Sequence, residues 1–202
     1  MTEIIACADV STSTFHNIFR SKDGVLEELT EFMFENQFGL ARNNLGADAS
    51  PVLVYSFETA LQLTLAELDE HLREIYVEAY TQPKLAELIT QKTATVLYHL
   101  FGSYLPGYAE SDFYELDIGT SGIMRAYMAR PCDKYFTLQK KLDRFLTMVL
   151  RSYSIPEEEI RAALDFIAKA DIVATANAAL QELFQALAMR FNFVLTESED
   201  KK

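Results

Sequence analysis

Tryptophan is absent from this 202-residue chain, and glycine (7), proline (5) and cysteine (2) are scarce. So few turn-forming residues argue against an all-β fold, which needs many tight turns. Cys7 and Cys132 form no spacing motif, so neither a disulfide framework nor a thiolate metal site is expected, and a reducing cytoplasm is the natural compartment. Basic residues also fall short: 18 Lys and Arg stand against 30 Asp and Glu, for a net charge of −12. That balance excludes a chain-wide surface for nucleic acid, whose phosphates would be repelled, but leaves room for a small local patch. No apolar run approaches the roughly 20 residues of a membrane span. The first ten residues, MTEIIACADV, carry an early Glu and no basic stretch, unlike a signal peptide. A soluble cytoplasmic protein without a membrane partner is expected.

What is present is apolar material, half of the residues, in a helical period. The predicted class is all-α. A short helix is expected from Glu3 to Ala8, a tight turn at Asp9-Val10-Ser11, and a second short helix from Thr12 to Phe19. A long helix follows from about Lys22 to Leu45, with Gly46 as its C-cap. Ser50-Pro51 is a cap followed by a first-turn proline, and opens a helix to about Tyr80. Pro83 opens another to about Phe101, before Gly102. The spacing at Asp112–Glu115 predicts a capping box and a helix to about Met128. A helix from about Lys134 to Tyr153 comes next, and Ser154–Glu157 has the spacing of a second capping box. The final 40 residues are predicted helical, with a break near Lys169 to Asp171 and a disordered-looking tail, TESEDKK. There is no repeat. Residues 1–45 form one unit with its connecting helix, and residues 46–202 a larger one.

The first two short helices make a helix-turn-helix. Val10, Phe15, Ile18 and Phe19 can face inward, which leaves Thr12, Ser13, His16 and Asn17 outward as hydrogen-bonding groups suited to base edges and phosphates. Free N–H groups at Ser11 and Thr12 favour phosphate, and Lys22 is within reach of the backbone. The stretch ADVSTSTFHNIFRSKDGVL is similar to the signature of the tetracycline-repressor (TetR) family, with Ala8, Val10, Ser11, Thr14, Phe15, Phe19, Ser21 and Lys22 on matching positions. The resemblance covers about 20 residues; beyond them the chain is similar to the family only in plan. It implies a homodimeric, ligand-responsive transcriptional regulator, usually a repressor, on a pseudo-palindromic DNA operator. Ser11, Thr12, Ser13, Thr14, His16, Asn17 and Lys22 are then the candidate DNA-binding residues.

Three departures stand out. Asp9 replaces the family's turn glycine, His16 its usual tyrosine, and Ile18 a His or Tyr. Residues 1–26 hold only Arg20 and Lys22 against Glu3, Asp9 and Asp23, a poor balance for phosphate. The family's first helix, ahead of the helix-turn-helix, also has no counterpart. Three expectations follow: a native N-terminus lying further upstream, a family member that binds DNA weakly, or a non-DNA-binding ligand-binding or scaffolding dimer of the same fold.

The resemblance implies a small-molecule effector of unknown identity among the middle helices, and dimerisation through the last ones. Residues 71–127 are rich in tyrosine, which supplies an apolar ring and a polar tip. The candidate ligand residues are Tyr76, Tyr80, Tyr98, His99, Met124, Arg125 and Tyr127, against the alternative of ordinary core and surface tyrosines. Gly119-Thr-Ser-Gly122 inside a helix suggests either close helix approach or room for a ligand. The last helix is apolar on more than one face. Its candidate interface residues are Ile172, Ala176, Leu180, Leu183, Phe184, Leu187 and Phe191, with the helix from Glu157 to Ala168 as partner; the alternative is burial inside one subunit. Glu67 and His71 share an i, i+4 spacing, but two ligands without a third make a weak metal site. No dinucleotide fingerprint or nucleophile elbow appears, so neither an enzyme nor a resident cofactor or metal is expected.

Overall fold

The computed structural model describes residue 30, residues 44–46 and residues 48–191, with side chains described as far as residue 182. The motif from Ala8 to Lys22, with every candidate DNA-binding residue, lies outside the described residues. Seven helices follow residue 48: α1 (Pro51–Leu68), α2 (Glu70–Ala79), α3 (Pro83–Phe101), α4 (Glu110–Ala129), α5 (Leu138–Ser152), α6 (Glu157–Lys169) and α7 (Ile172–Phe191). No strand occurs among the described residues, so the all-α class holds. No helix among them is long and apolar enough to cross a membrane.

Helix α1 is the axis of the bundle, and each of the other six packs against it. It is buried without interruption from Val54 to Ala66, as a helix surrounded by others must be. The surrounding helices bury one stripe each. On α5 that stripe is Leu142, Phe145, Leu146, Val149 and Leu150, the i, i+3, i+4, i+7 spacing of one helix face. Each such side chain contributes about 1.5–3 kcal/mol on burial. Four aromatic rings meet at the centre. Tyr55 meets Phe101 edge-on at 5.3 Å, and Phe113 stacks on Tyr153 at 6.1 Å.

Several helix ends match the sequence. Asn44 and Leu45 are helical and Gly46 has φ +82°, the left-handed backbone of a C-terminal cap. Ser50 caps α1 through Leu53 N–H at 3.2 Å. Helix α3 runs from Pro83 to Phe101 as expected. The late break falls at Ala170-Asp171, where Asp171 caps α7 through Ala174 N–H at 3.0 Å.

Four expectations fail, each for a capping reason. The single helix to Tyr80 is two helices. Asp69 is extended, and its carboxylate accepts Leu72 N–H at 3.0 Å, opening α2; the apolar period running through Leu68, Leu72 and Tyr76 hid that cap. Helix α4 starts at Glu110, before Asp112. Asp112 is its third residue, and its carboxylate reaches back to Ala109 N–H at 2.6 Å. Helix α5 starts at Leu138, after the expected Lys134, because Asp133 takes the N–H groups of Tyr135 and Phe136, each at 2.7 Å, into a turn. Ser154 is no N-cap. It sits at φ +56° after α5, where Ser154 N–H reaches Arg151 C=O at 3.0 Å and Ile155 N–H reaches Leu150 C=O at 3.2 Å. That is a Schellman end with serine in the place glycine usually takes.

Candidate functional site

Two helices carry polar residues at core spacing. Tyr55, Glu58, Thr59 and Gln62 occupy i, i+3, i+4 and i+7 of α1, and Asp117, Thr120, Ser121 and Met124 repeat that spacing on α4. Both sets line one cavity of about 40 Å³, which Ile89 and Thr93 of α3 and Tyr80 at the end of α2 complete. The cavity is water-sized, and polar side chains project into a wall that is otherwise apolar. Thr59 turns its hydroxyl to Tyr55 C=O at 2.9 Å, so it donates along its own helix.

Asp117 dominates the electrostatics. It is 4% exposed. Its Oδ1 accepts the Thr120 hydroxyl at 3.0 Å, while Oδ2 is buried with no hydrogen-bond partner. Burial raises the carboxyl from 3.8 to about 7, and the Thr120 hydroxyl pulls weakly the other way. Glu58 is 2% exposed on the opposite wall. The tyrosines answer to the same field. Burial lifts Tyr80, and the nearby Asp117, Tyr76 and Glu58 add to it. Tyr55 and Tyr153 are lifted chiefly by burial as well. All three phenols therefore keep their protons. The Tyr153 hydroxyl closes the network on Thr120 at 2.7 Å.

A wider cleft of about 380 Å³ opens beside the chamber, between the end of α2, the start of α3 and α4. Tyr80 and Ser121 belong to both walls. The outer floor includes Ile118, 58% exposed, together with Gly122 and Arg125.

The predicted ligand residues divide accordingly. Tyr80 and Met124 line the chamber, and Tyr80 and Arg125 the cleft. Tyr76 is buried on α2 but is not part of either wall. Tyr98 and His99 are exposed on α3, with Tyr98 edge-on to Phe113 at 5.7 Å. Tyr127 packs on Phe136 and Phe145 and points its hydroxyl at Met148 Sδ, 3.6 Å away. Those three are not brought to the chamber. Sequence reasoning missed Tyr55, Glu58, Gln62, Asp117 and Thr120, because apolar period was sought and polar period was not. The twin i, i+3, i+4, i+7 sets would have found them. At Gly119 and Gly122 a Cβ would meet nothing within 4 Å. Close helix approach is therefore not their role, and Gly122 borders the cleft instead.

A second polar cluster sits at the far end of α1. Lys141, wholly buried, donates to Glu67 Oε1 and to Arg130 C=O. Glu67 Oε2 also accepts Cys132 N–H at 2.9 Å and lies 4.0 Å from Arg73. Glu67 is thus fully engaged in structure. His71 is exposed beside Asp69 at 3.6 Å. Among the described residues no cluster of three His, Cys, Asp or Glu could hold a metal ion.

On α7, Ile172 and Ala176 are buried in the chain's own core, where α7 lies on α1. Leu180 is half-buried against the same core. The side chains of Leu183, Phe184, Leu187 and Phe191 lie outside the described ones. Phe166 on α6 and Val173 on α7 are large apolar residues left exposed. In comparisons with known proteins, the chain matches no family model, no curated protein and no solved structure.

Proposed function

We propose that this protein is a ligand-responsive transcriptional regulator of the TetR type, a repressor that binds a pseudo-palindromic operator as a homodimer. The observation that carries the reading is the spacing from Ala8 to Lys22, which joins a turn, a recognition helix and the start of the next helix. The buried acidic chamber supports the ligand-responsive half. A buried carboxylate oxygen left without a partner beside a cavity costs stability, which favours a binding role over a packing role.

Coupling runs through α1. Tyr55 and Glu58 stand one and two turns from its N-terminus at Pro51, just after the segment that connects to residues 22–45. A ligand that moves α1 biases that connection, and so the spacing of two recognition helices in a dimer. The test is a gel shift with the full gene product and its own promoter at low salt. A retarded band that Asn17→Ala weakens is expected; no band at low salt sinks the regulator reading. The acidic surplus in residues 1–26 favours one alternative, a dimer of the same fold that binds ligand without DNA.

A further inference from the structure

The chamber has the wrong charge for its position. Asp117 Oδ2 is buried on its wall without a hydrogen-bond partner, and none of the described residues lining the chamber is basic. A carboxylate removed from water needs a proton or a cation. An anionic ligand would be set against the Asp117 carboxylate and is excluded. A neutral ligand leaves Asp117 dependent on a proton, which it loses as pH rises above about 7.

We propose that the chamber binds the ammonium head of a small organic amine, with the amine's apolar body lying in the adjoining cleft over Ile118 and Gly122. The fit is chemical as well as electrostatic. An –NH3⁺ group is about the size of a water molecule, ~30 Å³, which suits a cavity of about 40 Å³. It carries three donors and no acceptor, and the chamber offers the Asp117 carboxylate and a glutamine amide. The Tyr80 and Tyr55 rings supply the aromatic surface that ammonium ions favour. Tyr80 and Ser121, common to chamber and cleft, fix where head gives way to body. The cleft, nearly ten times larger, admits a phenyl ring or a short alkyl chain. A bare metal ion fits less well, since no three ligating side chains gather among the described residues. Burial also keeps Asp117 near its neutral form at pH 7, so a bound cation would draw it into ionisation.

The inference rests on the chamber being the ligand site proposed above, and it is independent of DNA binding. The experiment is calorimetric titration of the full chain at pH 8 with 2-phenylethylamine and, as the neutral analogue of the same shape, 2-phenylethanol. Magnesium chloride and potassium chloride are titrated separately. The amine is expected to bind at least tenfold tighter than the alcohol. Asp117→Asn should erase that preference. Gly122→Leu, which meets open space and suits a helix, should weaken the amine severalfold by filling the cleft while leaving the circular dichroism spectrum unchanged. Equal binding of amine and alcohol overturns the proposal, as does a preference that survives both substitutions or binding of a metal salt alone. If the gel shift fails while the amine preference holds, the regulator reading falls and the ammonium site stands. The reverse result removes the ammonium site and leaves the regulator.

Discussion

Helix α1 borders two carboxylates, its own half-buried Glu67 and the buried Asp117 of α4, and they are built in opposite ways. At Glu67 the charge is answered within the chain: Lys141 donates to one oxygen and the Cys132 backbone to the other. The same lysine also ties down Arg130 C=O, which anchors the turn between α4 and α5. At Asp117 the surroundings are phenols, hydroxyls and an amide, with a cavity where a cation would fit. Both clusters are costly to bury. The first returns that cost as a fixed junction of α1, α4 and α5. The second keeps a charge demand that only a proton or a ligand meets. A buried carboxylate is thus an anchor or a receptor according to whether a basic side chain has been brought to it.

The largest effect should come from breaking the anchor. Lys141→Met leaves Glu67 short of its main cation and Arg130 C=O short of a donor. A loss of about 3–5 kcal/mol in unfolding free energy is expected by urea denaturation. A loss below about 1 kcal/mol would mean that the pair is not structural.

Asp117→Asn should act in the opposite direction, and only at high pH. Below pH 3.8 the group is neutral in folded and unfolded chains alike, so it costs nothing. Between 3.8 and about 7 the unfolded chain releases a proton that the folded chain retains, and the penalty grows; above about 7 it is complete. The wild type therefore loses ground to the asparagine variant as pH rises. The variant should be more stable by roughly 2–4 kcal/mol at pH 8 and equal at pH 3.5. A pH-independent difference would remove Asp117 as the titrating group.

The smallest effect probes the chamber's own network. Tyr153→Phe deletes the hydroxyl on Thr120 but leaves the Thr120–Asp117 bond, and should cost about 1 kcal/mol. In the Asp117→Asn background the cost should change, because the three groups share one chain of hydrogen bonds. Strict additivity in thermal melts would show that they act separately.

Much of the architecture was legible along the chain. Ser50-Pro51, Pro83 and the break before Asp171 mark helix ends because capping is local chemistry, settled within four residues. The amphipathic stripe of α5 announces its buried face for the same local reason. Asp69, Asp133 and Ser154 escaped notice because each is one of several short polar residues able to cap, turn or do neither. Their roles depend on where the neighbouring helix must go. The candidate site was less legible. Tyr80 and Met124 were named for their residue types, while Asp117 and Glu58 look like surface acids until α4 and α1 are laid face to face.

By itself the sequence determined the helical class, the scarcity of turn-forming residues and the acidic balance, since each depends on residue type and short-range order. Only the tertiary structure decided which acids are buried and what faces them. Burial is a property of packed helices: Glu67 lies 74 residues from Lys141 along the chain, and Glu58 and Asp117 come from different helices. Desolvation acts on what surrounds a carboxylate in space, and so the same side-chain chemistry became an anchor at one end of α1 and a cation-seeking chamber in its middle.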